Sequence, residues 1–130
     1  MKNYLLTLLL TISLAGLVNA QDKTEGNKQF MQITTVESVV SGGAGRSKMI
    51  ITNSDASQEE VELENLFSMM GINFKNIKSN ELKITQTLKS YTDKGWKLEQ
   101  VIPLSVSPSQ GSTGIFMTRY LLWKTEQKLN

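Results

Sequence analysis

Cysteine and histidine are both absent from the 130 residues of this chain, and proline occurs only twice. The missing cysteine rules out disulfides, so packing and hydrogen bonding must hold the fold together. It also removes lipid anchoring through a cysteine at a cleavage site, leaving no anchor of that kind. The missing histidine takes away the commonest general base. Together the two absences exclude thiolate nucleophiles, Ser-His-Asp and Cys-His arrangements, and every zinc or iron site built on those ligands. Carboxylates, lysines, tyrosines and hydroxyls are what remain for chemistry.

Charge of one sign is scarce too. Fourteen basic residues face twelve acidic ones, which is no electrostatic footprint for nucleic acid. The charges are nevertheless segregated. Asp55, Glu59, Glu60, Glu62 and Glu64 crowd one stretch, and Lys75, Lys78, Lys83, Lys89, Lys94 and Lys97 follow it. Two solvated faces of opposite sign are the ordinary reading. A dipolar surface that guides association is the sharper one.

What is present begins with an address. Met1-Lys2-Asn3 carries one positive charge, an apolar run follows from Tyr4 to Val18, and Val18-Asn19-Ala20 supplies small residues at −3 and −1. The pattern predicts a cleaved export signal over 1–20, with Gln21 as the new N-terminus and the product periplasmic or secreted. The run is too short and too interrupted for a comfortable bilayer span. A polar, flexible leader is expected over 21–29, then one domain over 30–126.

Along that domain, Phe30–Val40 is rich in β-branched residues and predicts a strand, bulged where the alternation slips between Ile33 and Val36. Ser41-Gly42-Gly43-Ala44-Gly45 predicts a turn, and Ser47–Thr52 the returning strand of a hairpin. The Gly42–Lys48 stretch does not follow phosphate-loop order and lies in a hairpin. Asn53–Ser57 has strong turn chemistry. Beyond it, Val61 and Leu63 alternate with Glu60, Glu62 and Glu64, a one-sided strand pattern. Ser57 with Glu60 is also a capping box for a helix running toward Met70; the alternating charges favour a strand near 59–64. Leu66–Ile77 is apolar without a clean period. A helix is expected near 79–94, capped by Ser79 or Asn76, with Ile84, Leu88 and Tyr91 on one face. Gly95 should take the left-handed C′ position, and Trp96 should fold back on the last turn. Trp96, Leu98, Ile102 and Leu104 alternate along a strand with Val101 on the other side, and Ser105–Gly114 is a polar loop. Ile115–Lys124, apolar on both sides, predicts a central strand. The fold class expected is α+β: a mainly antiparallel sheet of four to five strands with one main helix packed on one face.

The closing third has a further association. Gly95-Trp96-Lys97-Leu98-Glu99-Gln100-Val101 after a helix, then Arg119-Tyr120-Leu121-Leu122-Trp123-Lys124, resembles the small bacterial family called domain of unknown function 4177 over roughly residues 77–124. That resemblance implies a sheet-and-helix α+β fold and no known activity.

Candidate sites are few. Asn53, Asp55, Ser57, Glu59 and Glu64 follow calcium-loop spacing, but Asn53 stands at the first position and Gln58 where the sharp turn wants glycine. A polar hairpin turn is the favoured reading there. For an enzyme, Glu59, Glu60, Glu62 or Glu64 would have to work with Lys48 or Tyr120, and nothing in the spacing forces them together. No catalytic residue and no cofactor are therefore assigned. Phe67, Met69, Met70 and Phe74 form the candidate contact surface, because methionine suits an adaptable interface. The function expected is an exported non-catalytic module for self-assembly or for binding a protein partner. A calcium- or small-ligand-binding periplasmic domain is the alternative, and a carboxylate/lysine enzyme comes behind both.

Overall fold

Eleven consecutive residue pairs, from Lys28 opposite Thr125 to Ser38 opposite Ile115, join the beginning of the described chain to its end. In the computed structural model, residues 27–40, 46–107 and 114–126 are described. The export signal, the 41–45 turn and the centre of the 105–114 loop lie outside them.

The strands are β1 (Lys28–Ser38), β2 (Ser47–Thr52), β3 (Gln58–Leu63), β4 (Phe67–Ser68), β5 (Gly71–Ile72), β6 (Lys97–Val106) and β7 (Ile115–Thr125), with one helix, α1 (Phe74–Thr92), between β5 and β6. Five strands form an antiparallel sheet in the order β3-β2-β1-β7-β6, and β4-β5 is a separate hairpin. An α+β architecture with a five-stranded antiparallel sheet is thus established. Among the described residues no helix is long and apolar enough to cross a membrane.

Side chains alternate between the faces of a strand, and register shows which residues share a face. Met31 and Ile33 of β1, Met49 and Ile51 of β2, Leu63 of β3 and Leu122 of β7 fall on one face, and together with Trp96 they make the buried cluster. Ile84, Leu88 and Tyr91 of α1 pack against that cluster, as do Val61 and Tyr120. The three helix positions follow the 3.6-residue period of an apolar stripe. Asn80 shares the stripe and is fully buried.

Several boundaries differ from the sequence expectation. β1 starts at Lys28, inside the expected leader, because Lys28 and Gln29 pair with Thr125 and Lys124. It has no bulge: Thr35, 1% exposed, fills the inward slot that the apolar pattern skips, and its hydroxyl reaches the Thr118 carbonyl at 3.5 Å. The shift in register occurs instead in β6, between Leu98 and Gln100. Leu98 and Val101 consequently share the core side, opposite Leu122 and Tyr120, while Ile102 and Leu104 point the other way, opposite Arg119 and Met117. The expected grouping of Leu98 with Ile102 and Leu104 fails at this one extra residue.

The helix also begins earlier than 79. Asn73 has extended backbone angles, and its carboxamide oxygen accepts the Asn76 N–H at 3.3 Å. Asn73 therefore caps α1, and Asn76 and Ser79 lie inside it. The other end follows expectation. Trp96 N–H donates to the Tyr91 carbonyl at 3.1 Å and Gly95 N–H to that of Thr92 at 3.0 Å, with Gly95 at φ 85°. That bond pair is a Schellman motif.

Candidate functional site

The Leu66–Ile77 stretch, without a period in sequence, folds as a small hairpin followed by the first turn of α1. Phe67 pairs with Ile72 and Ser68 with Gly71, leaving Met69 and Met70 as the turn. Gly71, at φ 106°, takes the left-handed conformation that lets the chain return. The Ser68 hydroxyl accepts the Met70 N–H and donates to the Gly71 carbonyl, each at 3.3 Å. The turn is therefore closed by its own polar groups, and its two long apolar side chains point away from them.

Asparagines hold the base of this hairpin. Leu66 N–H donates to the Ser38 carbonyl at 3.0 Å, and Asn73 N–H to the Leu66 carbonyl at 2.9 Å. The Asn65 carboxamide donates to the carbonyls of Val40 (2.7 Å) and Phe67 (3.0 Å). Asn76 donates to the Asn65 carbonyl at 2.8 Å. Asn80 accepts the Glu64 N–H at 2.8 Å, returns a bond to the Glu64 carbonyl at 2.8 Å, and donates to a Glu37 carboxylate oxygen at 3.0 Å. The end of β1, the 64–67 segment and the first turns of α1 are thereby locked together.

At the other end of this lever the apolar groups are bare. Met69 is 89% exposed, Met70 99% and Phe74 69%, with Ile72 also exposed and Phe67 half-buried. The four residues singled out in the sequence thus lie on one short excursion, three of them largely in solvent.

A second feature was not legible in sequence. Ile77, Ile84 and Leu88 of α1 face Leu66 and Tyr120 across a groove of about 360 Å³, with Glu37 and Glu81 among its lining. Burial first, and the Glu37 charge second, hold the Tyr120 phenol above its ordinary pKa. A phenol so placed is a poorer proton donor than a free tyrosine. The groove offers apolar walls with two carboxylates, which suits binding better than acid catalysis.

The remaining sequence candidates separate. Lys48 does meet glutamates: it forms an ion pair with Glu60, and its ammonium lies 3.6 Å from Glu62. The Glu60 hydrogen bond, then the Glu60 charge, raise the Lys48 pKa. A catalytic lysine needs the opposite shift, and this pair is an exposed cross-strand contact between β2 and β3. Tyr120 belongs to the groove, on the face away from Lys48.

The five calcium-loop residues do not converge. Asp55 accepts both the backbone N–H (2.9 Å) and the hydroxyl (2.6 Å) of Ser57, and Asn53 donates to Ser57 and Glu59 at 3.1 and 3.3 Å. These polar atoms satisfy one another within the β2–β3 turn. Glu64 lies beyond the far end of β3, roughly 16 Å from Glu59 along an extended strand. Among the described residues no group of three or more metal-ligating side chains comes together.

Comparison of the chain with protein-family models, with curated proteins and with solved structures gives no match.

Proposed function

We propose that this chain is an exported, non-catalytic interaction module that engages a protein partner through the hairpin Phe67–Ile72 and the adjoining Phe74. The observation that carries this reading is the contrast between a base tied by Asn65, Asn73, Asn76 and Asn80 and a tip whose Met69 and Met70 are almost wholly in solvent. Exposing two methionines and a phenylalanine side by side is unfavourable in water. A fixed base spares a partner the cost of ordering the loop, and the unbranched thioether side chains adapt to an imperfect pocket. In this reading α1 lies across one face of the sheet and orients the hairpin at its N-terminal end. Export, with residues 1–20 removed, supplies the setting.

The test is the double substitution Met69→Ser/Met70→Ser. Its expected signature is an unchanged melting temperature together with loss of partner capture by the purified mature chain. Unaltered capture would place the contact elsewhere. Mass spectrometry of exported protein should find Gln21 at the N-terminus, and an intact Met1 or Lys2 would defeat the export half of the proposal.

A second reading, small-ligand binding, rests on the groove between α1 and Tyr120, whose volume falls within the range typical of ligand sites. Its apolar walls and two carboxylates favour cationic amphiphiles. Protection against thermal unfolding by such compounds, abolished in Glu37→Gln/Glu81→Gln, is the observation expected of it.

A further inference from the structure

The two edges of the five-stranded sheet are built differently. β3, at one edge, carries Glu59, Glu60 and Glu62 within six residues. β6, at the other edge, is exposed at every one of its ten residues. From Gln100 to Val106 it has no charge, and Leu98, Val101, Ile102, Leu104 and Val106 are each between 37% and 50% exposed. An open edge presents a row of unpaired N–H and C=O groups, and charge along it is the usual protection against pairing with another chain. β3 has that protection along its length, whereas on β6 it is confined to Lys97, Glu99 and the register shift beside Glu99 at the start of the strand, with Pro103 removing one donor in each copy.

We infer that β6 is a homodimer interface, joining two copies of this chain antiparallel, edge to edge, in one continuous ten-stranded sheet. This interface is separate from the Phe67–Ile72 hairpin and does not depend on it. A second copy is the occupant that the edge chemistry selects. Pairing β6 with its own copy about a two-fold axis is closed and self-complementary. Pairing β6 with β3 of another copy would set three glutamates against an uncharged apolar strand and would propagate without end. Pairing β3 with β3 would bring glutamates together, since like charges across strands repel.

A two-fold axis near Ile102 places that residue opposite its copy, Val101 beside Pro103 and Gln100 beside Leu104. Cross-strand partners then share a face, as pleating requires. Lys97 and Glu99 of each copy fall at opposite ends of the pairing, so no like charges meet. The matched stretch, Gln100–Leu104 of each copy, would run about 17 Å between the two Glu99 irregularities, with Ile102 and Leu104 on one face of the sheet and Val101 on the other.

Because the chain has no cysteine, a single Ile102→Cys substitution reports this geometry directly. Directly opposed antiparallel residues have Cα atoms about 4.5–5.5 Å apart, within disulfide reach. Under mild oxidation the purified Ile102→Cys chain should form a covalent dimer, while Glu60→Cys on β3 and Met69→Cys on the hairpin should not. Sedimentation equilibrium of the unaltered chain should show a concentration-dependent dimer. Ile102→Lys should weaken that dimer at least tenfold by setting two ammonium groups face to face, with an unchanged circular dichroism spectrum because the site is exposed. A chain that stays monomeric up to about 1 mM, the weakest range of specific association, would overturn the inference. So would a dimer that cross-links only through Met69→Cys, which would move self-association to the hairpin. The inference and the hairpin reading fail separately, since Met69→Ser/Met70→Ser leaves β6 untouched and Ile102→Lys leaves the hairpin untouched.

Discussion

The carboxamide of Asn80 closes on the backbone of Glu64, accepting its N–H and donating to its carbonyl, both at 2.8 Å. A side chain in mid-helix thus does for the end of β3 what a neighbouring strand would have done. The remaining amide hydrogen reaches Glu37, so one fully buried residue joins α1, β1 and the segment leading to the hairpin. Buried amides are costly unless every group is paired, and the carboxamide oxygen and both amide hydrogens of Asn80 are paired.

Asn80→Ala should therefore destabilise the fold by about 2 kcal/mol, because it removes the donor and acceptor that satisfy Glu64. Asn80→Asp should destabilise further near neutral pH, where a carboxylate would face both the Glu64 carbonyl and Glu37. Chemical denaturation of both variants checks this, and a loss of less than about 0.5 kcal/mol in Asn80→Ala would show that water replaces the carboxamide.

Gly95 and Trp96 divide the work of ending α1. A Cβ built on Gly95 meets nothing within 4 Å, but φ is 85°. Gly95→Ala should accordingly cost on the order of 1 kcal/mol from backbone conformation alone. Trp96 is 8% exposed and belongs to the buried cluster, so Trp96→Ala should cost about 3–5 kcal/mol. Thermal melts of the two variants should differ clearly in this order, and equal shifts would contradict the packing of the indole.

The β2–β3 turn should respond to acid. The Ser57 hydroxyl, and then its backbone N–H, hold the Asp55 carboxyl below its ordinary range. Protons therefore bind the unfolded chain more readily than the folded one. The turn's contribution is present above the ordinary aspartate range, near pH 4, and is lost as pH falls through the lower folded value. Protection of the Ser57 amide against hydrogen exchange, relative to the intrinsic rate at each pH, should fall as pH drops through that window, and Asp55→Asn should remove the dependence. Protection that stays constant with pH in the unaltered chain would show that Asp55 does not hold the turn.

What was readable in sequence is what neighbours in sequence decide. Alternating Val61 and Leu63 among glutamates meant a one-sided strand, Asn53–Ser57 meant a turn, and Gly95 before Trp96 meant a C-cap, because each rests on contacts a few residues apart. The absence of cysteine and histidine likewise bounded the chemistry before any fold was known. The apolar hairpin tip was half legible: Phe67, Met69, Met70 and Phe74 stood out by composition, but their exposure did not. Other features came only from tertiary structure. Glu99 is an extra residue in β6 only with respect to the register of β7, and Thr35 counts as an inward residue only because Thr118 and Met49 lie beside it. Nothing in its sequence neighbourhood marks Asn80 as buried; the fold brings Glu64 and Glu37 to it. The groove at Tyr120 and the free edge at β6, uncharged from Gln100 to Val106, follow from strand order, which places β7 between β1 and β6. Strand order depends on pairings between residues nearly a hundred positions apart, and no local pattern encodes which strands those will be.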